Sequence, residues 1–141
     1  MVETVRDAGK VLAIILRRNF KRDGIEFFTP PEFSQQLAYM RHSAGKVIKS
    51  HFHNTVERTV QRTQEVLLLR RGRLRANLFD EHLRWAATVD LEAGDVILLA
   101  SGGHGFEALE DIELIEVKQG PYAGEGDKIH FDAGDSAAVH K

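Results

Sequence analysis

The most constraining feature of the sequence is an alternation of apolar and polar residues that recurs along most of the chain. Short runs of this kind are separated by turns that contain Gly, Pro or Asp, and helical periodicity is rare. Alternate side chains of a strand point to opposite faces, so the pattern predicts many short strands in a sandwich or barrel. The predicted strands are VLAIIL, IEFFT, the segment from Leu37 to Met40, KVIKSHFH, EVLLLRR, RLRANLF, RWAATVDL, VILLA and IELIEVKQ.

The size of the chain favours one domain. It has 141 residues, and 43% of them are hydrophobic, which is enough for one core. We find no internal repeat and no linker between two cores. The stretch 123–141 is rich in Gly, Asp and Ala, and we expect it to be a loosely ordered tail of a single domain that spans 1–141.

Charge and cysteine usage exclude several classes of protein. The formal net charge is −2 and the isoelectric point is near 6.4, so neither nucleic acid nor an anionic membrane is an expected partner. The only apolar run near the start, Val11 to Leu16, is too short for a signal core or a membrane span, which predicts a cytoplasmic protein. Without cysteines, any transition-metal site must use His, Asp or Glu.

Two histidines stand out in the segment GKVIKSHFHN. On a strand, His51 and His53 would point to the same face. If that face lies inside a barrel, packing explains two imidazoles poorly and a metal ion explains them well. The rest of the chain must then supply the remaining ligands.

Two motifs occur in order along the chain. The first consists of a Gly, five residues, His-x-His, and then Glu, six residues and Gly. The second consists of Gly-Asp, a run of hydrophobic residues, Gly and His. Their residues are Gly45, His51, His53, Glu65 and Gly72, followed by Gly94, Asp95, Gly102 and His104. In this order the two motifs resemble those of the cupin superfamily. The resemblance covers about 37–117 and implies a double-stranded β-helix, that is, a cupin or jelly-roll barrel, with few or no helices.

The resemblance also implies a ligand set for one divalent transition metal per chain: His51, His53, Glu65 and His104. This donor set suits Fe, Mn, Ni, Co or Zn. The gap between His53 and Glu65 holds eleven residues, more than is usual in the family, so Glu57 is an alternative carboxylate ligand. Glu65 is favoured because an apolar strand and Gly72 follow it, as in the motif. The family's Pro and Asn are replaced by Ala100 and Ala108.

The long segment from Asn54 to Gln64 is predicted to form a flap above the metal. Arg58 and Arg62 would hold an anionic group there; the alternative is that the two arginines belong to a solvated polar loop, which is the commoner case for two arginines in isolation. Further candidates for substrate binding are Lys49 at the pocket rim, Gln64 at the mouth, Phe106 as an apolar wall or a core residue, and Tyr122.

The expected function is that of a metal-dependent enzyme, of a dioxygenase or a sugar isomerase/epimerase type, acting on a small molecule. The alternative is a non-catalytic module that binds a small ligand. We also expect a homodimer, both from the resemblance and because VLAIIL would be a suitable apolar edge strand for pairing with a second copy.

Overall fold

The computed structural model describes residues 1–133, and the prediction of an all-β protein is confirmed. Within these described residues the chain forms ten strands, and a single turn of 3-10 helix, Glu125–Asp127, follows them. The strands are β1 (Val2–Asp7), β2 (Lys10–Leu16), β3 (Gly24–Phe27), β4 (Ala38–Arg41), β5 (Glu65–Arg71), β6 (Arg73–Phe79), β7 (Trp85–Glu92), β8 (Val96–Leu99), β9 (Gly103–Ala108) and β10 (Glu113–Lys118).

The strands form three antiparallel sheets, none of which closes on itself. One sheet has the order β1-β2-β8-β5-β10, a second has the order β7-β6-β9, and β3 pairs with β4 alone. Residues of the first two sheets together form the main core. Its buried members are Ala13, Ile15, Leu67, Leu69, Leu74, Ala76, Leu78, Leu91, Ile97 and Leu99.

The five-stranded sheet is covered on both faces. Leu67, Ile97 and Leu99 point toward the three-stranded sheet. Ile14 and Leu98 point the other way and pack against Phe28, Phe33 and Leu37 near the β3–β4 pair. Burial on both faces explains why β2 and β8 are continuously apolar, since each fully buried Leu or Ile side chain stabilises the fold by roughly 1.5–3 kcal/mol.

One buried carboxylate joins a strand of this sheet to the turn that connects the two larger sheets. Asp95 is only 2% exposed and lies in the turn between β7 and β8. Its oxygens accept hydrogen bonds from Arg17 Nη1 at 3.0 Å, from the backbone N–H of Arg18 at 2.8 Å and from that of Glu92 at 2.8 Å. Asp95 therefore joins the end of β2 to the β7–β8 turn.

Eight of the nine predicted strands are present, but the strand predicted for KVIKSHFH is wrong. The segment 42–63 contains no strand among the described residues, and all of its residues are exposed, Phe52 at 86%. The alternation there gives one face with Val47, Lys49, His51 and His53, which is too polar to be buried against the core without a partner for its charges.

The edge of the five-stranded sheet also differs from the prediction. VLAIIL corresponds to β2, which lies between β1 and β8 and is not an edge strand. A second copy therefore cannot pair with β2, and the route that we expected for a homodimer is wrong, whereas dimerisation itself stays a prediction. The two edge positions of this sheet belong to β10 and to β1, a strand that the charged sequence VETVRD did not reveal.

The predicted tail, 123–141, lies partly outside the described residues, as does His140. Within the described part, Phe131 packs edge-on against Phe79 with ring centroids 5.1 Å apart. The hydroxyl of Thr63 donates a hydrogen bond of 2.8 Å to Asp127. These contacts attach the chain after β10 to both the three-stranded sheet and the residues that precede β5.

Stability should fall in acid, because three exposed carboxylates are paired with arginines. In each pair the hydrogen bond from the arginine side chain lowers the pKa of the carboxylate; the pairs are Arg17–Glu3, Arg62–Glu81 and Arg75–Asp90. A carboxylate whose pKa is lower in the folded chain stabilises the fold above its unfolded value, 4.5 for Glu and 3.8 for Asp, and loses that contribution as the pH falls through the folded value. We expect the urea midpoint to be level from about pH 7 to 5 and to decrease below about pH 4.5.

Urea unfolding at several pH values checks this expectation. The decrease should be smaller in the Glu3→Gln variant and in high salt, because exposed pairs are screened. A midpoint that stays level down to about pH 3 would contradict it.

Candidate functional site

Glu65 and His104 meet at one end of the space between the two larger sheets. His104 Nε2 lies 3.2 Å from Glu65 Oε2, and the side chains are 34% and 14% exposed. Glu65 lies two residues before the buried Leu67 on β5, so the two side chains share a face and Glu65 points inward. His104 lies opposite the core residue Leu78 in the β6–β9 register and therefore points to the same inner side.

A glycine turn positions His104. Gly102 has φ +74°, and a Cβ atom at this residue would lie 2.1 Å from the backbone oxygen of Phe79. Only glycine fits that close approach with a positive φ. The turn was predicted in GGHGF, but the strand β9 begins immediately after it and includes His104 itself.

The surroundings keep Glu65 ionised. The hydrogen bond with His104 lowers the pKa of Glu65, against the opposing effect of burial. Weaker contributions that lower this pKa come from Glu116 and Lys118, both on β10, where Lys118 lies opposite Glu65 in the register. Phe106 lies two residues after His104 on the same face of β9, with the two rings 5.5 Å apart. The result is an anionic carboxylate beside an imidazole, with the carboxyl group of Glu116, a cation and an aromatic ring nearby.

The other two predicted ligands are not at this pair. His51 and His53 lie on the exposed segment 42–63, with their ring centroids 5.5 Å apart, and His51 Nδ1 lies 2.9 Å from the backbone oxygen of Lys49. Glu57 is exposed on the same segment. Within residues 1–133, no three His, Asp or Glu side chains come close enough together to hold a metal ion. The four predicted donors thus form two separate pairs.

The inner face beside His104 is open because β9 has a strand neighbour on one side only among the described strands. That neighbour is β6. Phe106 remains 38% exposed although its register partner, Ala76, is fully buried. An inward-facing aromatic side chain with this exposure indicates that, within residues 1–133, no element covers the edge of β9 at Phe106.

The predicted substrate-binding residues are scattered. Lys49, Arg58 and Tyr122 are exposed and make no contact with the Glu65–His104 pair. Arg62 forms an ion pair of 2.6 Å with Glu81. Phe106 is the one of these candidates that lies beside His104.

Gln64 is not at the mouth where it was predicted. It is 4% exposed and points to the opposite side of β5 from Glu65. Its Oε1 atom accepts a hydrogen bond of 3.0 Å from the backbone N–H of Gln35. The side chain therefore joins the outer face of the sheet to the loop before β4.

Sequence reasoning missed Glu116 and Lys118. Both lie in IELIEVKQ, which was correctly predicted as a strand, and their spacing places them on one face. Which face is buried depends on the register between β10 and β5, which includes an irregularity near Glu113. The sequence alone offers no signal for that register.

Comparisons of the chain with family models, with curated proteins and with solved structures found no match. In the part of the chain that the structure describes, no helix has the length and apolar character needed to cross a membrane. The functional argument therefore depends on the residues and their geometry.

Proposed function

We propose that this is a metal-binding β-sandwich protein of the cupin type, whose divalent transition metal is held by Glu65, His104, His51 and His53. The observation that carries the proposal is the contact between Glu65 and His104 at 3.2 Å, on two inward-facing strands of different sheets. A carboxylate and an imidazole side by side at a partly open end of a core are half of the donor set expected for Fe, Mn, Ni, Co or Zn.

Glu65 and His104 provide two of the four donors of the proposed set. The other two, His51 and His53, come shortly before Glu65 in the sequence. His51 and His53 require the chain before β5 to fold back onto the open edge of β9. The eleven residues between His53 and Glu65 can span up to roughly 36 Å when extended, which is ample for that return.

The order of the strands in the two larger sheets supports our proposal of a jelly-roll fold. Two antiparallel sheets face one another, and the smaller one has only three strands, with β9 at an open edge. Addition of the segment 46–53 as a strand beside β9 would make that sheet four-stranded and cover the exposed side of Phe106. Its period-two pattern would then place both histidines on one face.

A metal held in this way would supply Lewis-acid or O2-binding chemistry to a small molecule, as in dioxygenases and sugar isomerases. Around it the chain's own residues would bind and orient the substrate. Phe106 offers an apolar surface, and Lys118 offers a positive charge on the same side as Glu65. A non-catalytic ligand-binding role would use the same residues and would differ in showing no turnover.

Metal content in ligand variants tests the proposal. We expect about one metal ion per chain in protein purified without a polyhistidine tag. Glu65→Gln should weaken metal binding at least about 10-fold, because it removes a negative ligand that is already in place. Glu57→Gln, on the exposed segment, should leave the affinity unchanged. Elemental analysis and competition with a coloured chelator measure both.

A second matched pair separates specific binding from general histidine affinity. His104→Ala should lose metal as Glu65→Gln does, whereas His82→Ala, an exposed histidine in the turn after β6, should not. Full metal content in both Glu65→Gln and His104→Ala would overturn the proposal. Loss of metal in Glu57→Gln but not in Glu65→Gln would move the carboxylate ligand to Glu57.

A further inference from the structure

A cavity of about 510 Å³ lies on the other side of the five-stranded sheet from Glu65 and His104. Its floor includes Val11, Gln64, Ala100 and Ser101. Ala100 belongs to the outer core cluster with Leu98, so this floor is the outer face of the sheet. The volume is within the range of sites that bind small molecules.

Three separate parts of the chain form its walls. The strand ends on either side of the β1–β2 turn contribute Arg6 and Lys10, and the end of the exposed segment contributes Thr59 to Arg62. The loop after β3 contributes Pro30, Glu32, Phe33 and Ser34. Gln64 in the floor is attached to the loop after β3, since its Oε1 accepts hydrogen bonds from the backbone N–H of Gln35 at 3.0 Å and from the hydroxyl of Ser34 at 3.3 Å. A buried side chain therefore holds one wall of the cavity in position.

Among the charged residues of the lining, cations outnumber anions. Arg6, Lys10 and Arg62 line the cavity, against one carboxylate, Glu32. Among the described residues, the guanidinium of Arg6 has no hydrogen-bond or ion-pair partner, so its five donors face solvent and the cavity.

Glu81 holds the other two cations together. Its carboxylate lies 3.2 Å from Lys10 Nζ and 2.6 Å from Arg62 Nη1. One carboxylate shared between two cations fixes their positions without saturating their donors, because an ammonium has three and a guanidinium five. Even with Glu81 and Glu32 included, three positive groups face two negative ones.

The rest of the lining is apolar or weakly polar. Val11, Pro30, Phe33 and Val60 provide the apolar part, and Ser34, Thr59 and Ser101 provide hydroxyl groups. A site with cations at one side and an aromatic ring in the wall suits a ligand that has an anionic group and an apolar body.

We propose that this cavity is a second binding site, separate from the Glu65–His104 pair, for a small organic anion whose carboxylate or phosphate group is held by Arg6, Lys10 and Arg62. The inference does not depend on metal binding, because Gln64 in the cavity floor and Glu65 point to opposite sides of β5. It also gives Arg62 a role on the outer face of the sheet, and none to Arg58, which does not line the cavity.

Titration with three probes of one shape tests the site. Benzoate and phenyl phosphate carry the two candidate anionic groups, and benzyl alcohol is the neutral control. In low salt we expect both anions, or one of them, to shift the backbone amide signals of Gly9, Ser34 and Ser101 and to bind more tightly than the alcohol. The tighter anion identifies the preferred group. Equal binding of the alcohol and the anions would overturn the proposal.

Two matched arginine variants locate the binding. Arg6→Gln should weaken the preferred anion about 5- to 10-fold, a modest effect because the side chain is exposed. Arg58→Gln should have no effect. Val60→Glu, which adds a carboxylate to the cavity wall, should weaken the anions but not the alcohol. The site would be overturned if Arg6→Gln and Arg58→Gln had equal effects on anion binding. It would also be overturned if neither Arg6→Gln nor Val60→Glu weakened anion binding.

The Glu65→Gln variant separates this site from the metal centre. Anion binding should be unchanged in Glu65→Gln, whatever the metal content of that variant. If benzoate binding disappears together with the metal, the anion binds at the metal and the cavity is not its site.

Discussion

Replacement of Asp95 by alanine is expected to lower the free energy of unfolding by about 3–5 kcal/mol, one of the two largest effects that we predict. Asp95 is 2% exposed and accepts three hydrogen bonds, from the Arg17 side chain and from the backbone N–H groups of Arg18 and Glu92. Alanine would leave these donors without the acceptor that holds β2 against the β7–β8 turn. Each buried donor left without a partner costs about 1–3 kcal/mol.

Urea unfolding monitored by circular dichroism measures this change. The control is Glu113→Ala, which removes an exposed carboxylate 3.7 Å from Arg71 and should change stability by no more than about 0.5 kcal/mol. If Asp95→Ala and Glu113→Ala lower the free energy of unfolding by similarly small amounts, the hydrogen bonds of Asp95 do not contribute to stability as we infer. Asp95→Asn should lie between the two, because an amide retains one acceptor oxygen.

The sequence predicted the strands best where burial decides the pattern. VILLA became β8, which is buried on both faces, and RLRANLF became β6, in which Leu74, Ala76 and Leu78 point into the core. In these strands local propensity and the hydrophobic pattern agree with the tertiary environment, so the prediction needed no knowledge of the partner strands.

The sequence could not predict the structure of segments whose pairing depends on another part of the chain. KVIKSHFH has the alternation of a strand, but its polar face is stable inside only if something neutralises Lys49 and the two imidazoles. The same holds for Glu116 and Lys118, whose position beside Glu65 follows from the β5–β10 register. A pattern of period two fixes which residues share a face and leaves open which face is buried.

The candidate site shows the same division. Glu65 and His104 lie on strands that the core holds in place, and their side chains are 3.2 Å apart. His51 and His53 lie on a segment whose residues are all exposed, with Phe52 and Val47 at 86% and 80%. Ile48, between them in the sequence, is also 59% exposed, and exposed apolar side chains that occur together often mark an interaction site, which agrees with our proposal that this segment docks.

The double variant His51→Ala, His53→Ala is expected to lose metal affinity by about 100-fold or more, since even residues that only support metal ligands change affinity by about 10–100-fold. The fold should be unaffected, because neither side chain packs against the core. Chelator competition measures the affinity, and urea unfolding of the metal-free protein checks the fold. The control is His42→Ala, His82→Ala, two exposed histidines outside the motif, which should bind metal as the unaltered chain does.

Proline substitutions in the same segment decide whether docking as a strand accompanies metal binding. Ile48 and Lys49 are not proposed ligands, and their backbone N–H groups have no partner among the described residues, so Ile48→Pro and Lys49→Pro should leave metal-free stability unchanged. In a strand paired with β9, alternate N–H groups donate to the ladder, and proline at a donating position removes that bond. One of the two variants should therefore weaken metal binding about 10-fold or more, and the other much less, since a bond lost with its clash costs at least about 1.4 kcal/mol. Equal, unaltered affinity in both would mean that the histidines reach the metal from a loop, and that the edge of β9 stays open.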